Sequence, residues 1–341
     1  MSSPVTSLNL TAPPDPYEAP PLRWGILGAG GIARKFATEV PANSAQRVVA
    51  VGSRSAAKAA GFAEAHGISR AHGSYADLVT DPEVDVVYVA TPHSHHRDHA
   101  VLALEAGKPV LVEKAFTRNA REAREVLEAA ESRGLFAMEA MWTRFLPHMT
   151  ALRHLVASGA LGDVLAVHGD HGQRLPHVER LREPGLAGGA LLDLGVYPIS
   201  FIHSLLGRPE AIHAVGMLSD AGVDVHEAVS LTYGNAVGVA TANMWARSRT
   251  SASVIGTEGR IDLADTFFVP TTFTVTPADG DPWTWSEPGV TGGFQYQAAE
   301  VARCVAVGSQ QSEILSWAAT VEVMEIMDEV RRQLGVVYPG E

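Results

Sequence analysis

The chain has 341 residues and a formal net charge of −12, with 46% apolar and 19% charged residues. That length holds about two domains with sizeable cores, and the acidic balance argues against a nucleic-acid partner, which needs a basic face. A single cysteine, Cys304, excludes an intrachain disulfide and a thiolate metal cluster and fits a cytoplasmic protein. No apolar run approaches the roughly 18 residues of a membrane span, so no membrane partner is expected.

Residues 1–21 carry six prolines and neither Lys nor Arg. They read as a flexible polar leader rather than a secretory signal; the alternative is an arm that orders against a neighbouring subunit. From residue 22, strand and helix alternate. Strands are expected at 24–27, 47–52, 84–90, 110–113 and 135–139, as apolar runs of the kind buried on both faces. Helices are expected at 32–39, 56–66, 95–106 and 119–133, with a helical turn at 75–79; Gly107 and Gly134 stop the two helices before them. Repeated βα units imply a doubly wound parallel sheet. After residue 147 one helix (149–158) precedes segments rich in Val, Thr and small residues at 164–171, 212–218, 228–233, 237–243, 251–256 and 267–276. Turn signals such as Tyr233-Gly234-Asn235 point to a mostly antiparallel open sheet. Helical periodicity returns at 295–307 and 317–334. The expected fold class is α/β: a leader (1–21), a dinucleotide-binding Rossmann domain (22–147) and an α+β domain for substrate and oligomerisation (148–341).

Gly28, Gly30 and Ala33 occupy the small-residue positions of a G-x-G-x-x-A turn between a strand and a helix. Such a turn lets backbone N–H groups, here those around Gly31 and Ile32, approach a pyrophosphate at a helix N-terminus. An acidic residue some 20 positions later would select NAD through the ribose hydroxyls. Here Ser53-Arg54-Ser55, with Lys58 one helical turn on, offers hydroxyls and cations for a 2′-phosphate, which favours NADP over NAD. Thr91-Pro92-His93-Ser94-His95-His96 follows the strand 84–90, and His99 brings the count to four histidines in seven residues. His95 and His99 have the i,i+4 spacing of two metal ligands, but no third ligand accompanies them. A loop beside the cofactor is the better reading, and no metal is expected. Glu113-Lys114 ends the strand 110–113, where open α/β sheets bind ligands. Lys114 is one of only four lysines, with Lys35, Lys58 and Lys108. Further on, Gly188-Gly189 leads into Asp193 and Tyr197, four residues apart and on one face if a helix starts there. A tyrosine can take the proton of a reacting alcohol if its phenol acidifies beside an ammonium. Alone, Asp193 reads as a helix cap and Tyr197 as a core aromatic; Lys114 makes the catalytic reading competitive.

On these residues, on 139–147 (Glu-Ala-Met-Trp-Thr-Arg-Phe-Leu-Pro) and on the ending Tyr338-Pro339-Gly340-Glu341, the chain resembles the Gfo/Idh/MocA oxidoreductases over residues 22–341. Its look is closest to the dihydrodiol and D-xylose dehydrogenase branch. The resemblance implies that Lys114 touches both cofactor and substrate and that Tyr197 is the acid/base. It places Trp142 and Arg144 near the nicotinamide, and a homodimer or larger assembly on the C-terminal sheet. The family's lysine motif usually continues with Pro, where this chain has Ala115. The function expected is hydride transfer between NADP(H) and a secondary alcohol or hemiacetal of a sugar, polyol or cyclic diol. Two rivals are a cofactor-binding sensor on the same fold and a metal-dependent hydrolase using the histidine loop.

Overall fold

Strands that are apolar on both faces need helices on either side, and the chain supplies them in alternation. The structure, a computed structural model, describes Leu10 and residues 12–341, in two compact units. The first comprises Pro14–Trp142 and Gly292–Met324. It runs β1 (Arg23–Leu27), α1 (Gly31–Ala42), β2 (Arg47–Gly52), α2 (Ala56–His66), β3 (Arg70–His72), α3 (Tyr75–Val79) and β4 (Val86–Val89). Then follow α4 (His96–Glu105), β5 (Val110–Glu113), α5 (Ala120–Glu131) and β6 (Ala137–Ala140). All strand pairs are parallel, in the order β3-β2-β1-β4-β5-β6. The order reverses direction at β1 and β4, and such a switch point opens a crevice at the carboxyl ends of the strands. Val86–Val89 and Val110–Glu113 are buried at every position. Gly107 adopts φ +78 and closes α4, with Gly107 N–H on Leu104 O at 2.9 Å.

The second unit comprises Thr143–Thr291 and Glu325–Glu341, together with Leu10, Ala12 and Pro13 of the described leader residues. α6 (Pro147–Ala157) and β7 (Val164–Gly172) precede a π-wound turn at Leu191–Gly195 that runs on into α7 (Val196–Leu206). β8 (Ala211–Leu218), β9 (Asp224–Tyr233), β10 (Ala236–Asn243), β11 (Ala252–Gly256), β12 (Gly259–Leu263), β13 (Phe273–Pro277) and β14 (Trp283–Trp285) follow. The eight strands order as β14-β13-β12-β11-β7-β10-β9-β8, antiparallel except for β7 with β10. α7 lies close on this sheet because two glycines make room for it. A Cβ on Gly169 would stand 2.7 Å from Pro198 Cβ, and one on Gly238 would stand 2.6 Å from Ile202 Cγ2.

α8 (Phe294–Ala306) and the first part of α9 (Trp317–Leu334) rejoin the first unit. Phe294 packs among Phe36 and Trp142, and Trp317 Nε1 donates to Ala137 O at 2.8 Å. A single boundary at 147 does not anticipate this return.

Several expectations need correction. β3, β12 and β14 were not foreseen, and of 267–276 only Phe273–Pro277 is strand. The leader, outside residues 1–9 and 11, which are not among the described residues, does not stand off as a flexible tail. Tyr17 Oη donates to Ala42 O at 2.8 Å, Arg303 donates to Asp15 O at 2.7 Å, and Ala19 is buried against Ala299 and Ala302. The segment Pro184–Leu206 is long and apolar enough to cross a membrane, contrary to the reading above, but it is 89% buried as core.

Candidate functional site

The glycine turn sits where β1 ends. Gly28 adopts φ +113, and a Cβ there would meet Ala90 O at 2.7 Å, so only glycine fits between β1 and the end of β4. Its N–H donates to Gly52 O at 2.9 Å, tying the turn to β2. Gly30 is the N-cap of α1, with no side chain capping the helix. A Cβ on Gly30 or Gly31 would meet nothing within 4 Å. The first-turn N–H groups of α1, around Gly31, Ile32 and Ala33, thus lie behind an open cradle that suits a pyrophosphate.

At the end of β2 the three selector residues differ in use. Ser53 is buried, and its Oγ accepts from Ser55 N at 3.3 Å. Ser55 caps α2 by accepting from Lys58 N at 3.3 Å. Arg54 is exposed, and its charge acts on Tyr75. Tyr75 lies edge-on to His99 at 4.6 Å, and His99 Nδ1 is 3.0 Å from Thr91 Oγ1. Arg54 and the loop after β4 are therefore linked through two side chains.

That loop is braced against the end of β5. His93 Nε2 lies 3.2 Å from Lys114 O. His96 is fully buried, with Nδ1 2.9 Å from Ala115 O and Nε2 2.7 Å from Thr91 O. Burial pushes its imidazole down to about 4, so the ring is neutral and donates to one of the two carbonyls. Burial likewise pushes His99 down to about 4. Among the described residues no three His, Cys, Asp or Glu side chains are grouped to hold a metal ion. Pro92 precedes the 3₁₀ turn His93–His95 that leads into α4. Glu113 is buried and accepts from Tyr88 Oη, while Lys114 is half-buried and is followed by a cis peptide to Ala115 in the absence of proline. Trp142 is buried against Phe294, with Lys35 Nζ 4.3 Å from its ring centre.

In the second unit Asp193 and Tyr197 stand on the junction between the π turn and α7. The expected plain helix start is a wider turn, whose Ala190 and Leu194 pack with Val225, Ala242 and Met244 of the sheet region. Asp193 is not a cap; it accepts from Arg180 Nη2 at 2.9 Å. The Tyr197 ring lies 5.0 Å from His171 and 4.8 Å from Phe268, which are 4.4 Å apart. Gln173 Nε2 donates to His171 Nε2 at 2.8 Å, so His171 carries its proton on Nδ1, 3.2 Å from Leu194 O. Arg144 is buried and turned to α7, bonding Ser200 Oγ at 2.9 Å, Ser200 O at 3.0 Å and His203 Nδ1 at 3.3 Å.

Sequence reasoning missed Tyr75, His171, Arg180 and Phe268. Each sits on a segment remote from the motif it serves, so no local spacing signals it. His171 lies in the polar second half of β7, beside His168 and Asp170, and nothing in the strand's pattern sets it apart.

Residues 22–141 match the family model for the oxidoreductase family with an NAD-binding Rossmann fold, and residues 149–262 match that for the GFO/IDH/MocA C-terminal domain. A trans-1,2-dihydrobenzene-1,2-diol dehydrogenase of Bos taurus is 40% identical over 334 residues, covering 94% of this chain and 99% of its own. Among solved structures, an aldose-aldose oxidoreductase from Caulobacter crescentus, complexed with glycerol, is similar with a TM-score of 0.84 at 25% identity, over 93% of this chain and 98% of its own. A 3-ketoreductase from Actinomadura kijaniata in complex with NADP and TDP-benzene gives 0.82 at 26% identity, over 92% and 98%.

Proposed function

This chain belongs to the Gfo/Idh/MocA family of oxidoreductases, and on that premise we propose that it moves a hydride between NADP(H) and a secondary alcohol or hemiacetal of a sugar, polyol or cyclic diol. Lys114 carries the reading. Of the other lysines, Lys35 lies over the rings of Trp142 and Phe294, Lys108 donates to Asp81 O and Val84 O, and Lys58 is exposed on α2. Lys114 alone follows a parallel strand at its carboxyl end, on the ligand side of the sheet.

Gly28, Gly30 and Gly31 with the α1 N-terminus would hold the pyrophosphate, and Arg54 the 2′-phosphate. NADP, when bound, supplies the hydride acceptor or donor. Lys114 binds the reacting oxygen through its ammonium. Tyr197 takes the hydroxyl proton during oxidation and returns it during reduction. Asp193, itself held by Arg180, orients this group. The cyclic-diol and sugar arms draw support from the names of the Bos taurus and Caulobacter crescentus relatives.

A sensor without turnover has no need of Lys114, Asp193 and Tyr197 together, and their presence favours an enzyme. The test is a spectrophotometric screen, following NADPH absorbance in both directions, against sugars, polyols and trans-cyclic diols. Turnover on at least one class is expected. Tight NADP binding with no turnover on any would replace the enzyme by the sensor.

A further inference from the structure

The turn that carries Asp193 and Tyr197 has no side-chain cap of its own: its N-cap is Ala190. First-turn N–H groups of a helix need partners when buried. Here the partner comes from another element. Asp224, at the start of β9 and fully buried, accepts from Leu191 N through Oδ2 at 2.5 Å, while its Oδ1 has no hydrogen-bond partner among the described residues. Gly189, at φ +122, makes the space, since a Cβ there would collide with Asp224 Oδ1.

Glu227 stands three residues further along β9, past the register shift between the Leu218–Asp224 and Met217–His226 pairs. Its Oε1 would lie 2.9 Å from a Cβ on Gly195, at the other end of the same turn. It is buried, and neither oxygen has a hydrogen-bond partner among the described residues. Arg331 of α9 and Tyr338 of the C-terminal tail act electrostatically on this pair. Arg331 binds Glu341 at 2.9 Å and 2.5 Å and lies 4.3 Å from the Tyr338 ring centre. Two acids in one buried pocket cannot both ionise without a large desolvation cost. Asp224, which receives the Leu191 N–H bond, is the one favoured as an anion.

We infer that Asp224 is a positioning residue for the reaction: as a carboxylate donated by β9 it fixes the first turn of the helix that bears Asp193 and Tyr197, while Glu227 fills the space beneath Gly195 as a neutral acid. Burial raises both carboxyls, Asp224 to about 6 and Glu227 well above its usual range, with Asp224 adding to the rise of Glu227. The two acids therefore part in the order the geometry requires. The inference rests on the reading of Tyr197 as the proton carrier for its effect on rate, but not for the cap itself.

The test compares Asp224→Ala and Glu227→Gln by amide hydrogen exchange, steady-state kinetics and NADP binding at neutral pH. Asp224→Ala, which removes the acceptor, is expected to speed exchange at Leu191 at least tenfold and to lower kcat at least tenfold, with NADP affinity within threefold of wild type. Glu227→Gln, which imitates the neutral acid, is expected to change neither exchange nor kcat more than threefold. Unchanged exchange in Asp224→Ala, or equal losses in both variants, would overturn the assignment. Should Asp224→Ala not fold, wild type decides: Leu191 N–H exchanging as fast as the open first-turn amides of α1 overturns the cap, and strong protection supports it. A fully active Tyr197→Phe would remove the premise about rate, and the exchange arm would still judge the cap.

Discussion

At the residue scale the reading turns on one hydroxyl and one ammonium. Tyr197→Phe keeps the ring against His171 and Phe268 and removes only the proposed proton carrier. It is expected to lower kcat by about 10²–10⁴-fold with NADP affinity nearly unchanged. Lys114→Met is expected to lose turnover with a modest cofactor penalty, and the double variant to be little worse than the poorer single, as for groups acting as a unit. Near-normal kcat in Tyr197→Phe would shift the chemistry to Lys114 or to a histidine of residues 93–99. On the proposed reading cofactor choice rests most on Arg54, the cation of the three; Ser53 and Ser55 accept from backbone N–H groups and keep their hydroxyl protons to donate to a phosphate. Arg54→Ala is expected to weaken NADP by about 1.5–3 kcal/mol and barely to touch NAD; titration of both cofactors checks this, and equal losses would assign Arg54 to the fold or the adenine. Glu227 sets a stability prediction. Its folded pKa is raised, so its contribution is fully present below the unfolded value and is lost as pH rises towards the folded one. Glu227→Gln cannot titrate, and denaturant melts from pH 5 to 8 should show the variant gaining on wild type by up to about 1.4 kcal/mol per pH unit. A constant gap would mean that Glu227 is already charged.

At the element scale two glycines of one turn have different duties. Gly28→Ala forces a methyl onto Ala90 O at positive φ and is expected to cost on the order of 1–3 kcal/mol of stability. Gly30→Ala meets open space, so its Tm should stay near wild type while NADP binding weakens; a calorimetric melt beside a binding titration separates the two. The sequence made this turn legible because strand, glycines and helix are contiguous. Apolar runs such as Val110-Leu111-Val112 also declared their strands, since only a doubly covered sheet accommodates them. β3 and β14 are three residues each, too short for periodicity to register. The π winding at Leu191–Gly195 was not legible, because it draws on the same residue preferences as an α-helix and is selected by packing. Nor could Asp224 be read as a cap: it precedes its strand's alternating pattern, and its N–H partner lies 33 residues earlier.

At the scale of the whole molecule, the uncovered face of the eight-stranded sheet bears most directly on assembly. The register places Val215 and Met217 of β8 on one face with Ala228 of β9 and Val237 of β10. Val215 is 72%, Met217 56% and Val237 44% exposed. They share that face with His213, His226, Ser230, Thr232 and Thr241; exposed large apolar side chains on an open sheet face mark an interaction site, and a homodimer or larger closed oligomer through it is expected. Light scattering at micromolar concentration should show at least a dimer, and Val215→Lys with Val237→Lys should reduce it to a monomer; a monomeric wild type would defeat the idea. The discontinuity of the first unit has a further consequence, in time rather than space. Its parallel sheet is complete by Trp142, yet α8 and the start of α9, which cover Phe36 and Ala137, end only at Met324. At about 5–20 residues per second on a ribosome, roughly 10–40 s separate the emergence of those two parts. During that interval the nascent sheet waits with an apolar flank open, the kind of transient exposure that makes folding intermediates prone to aggregate.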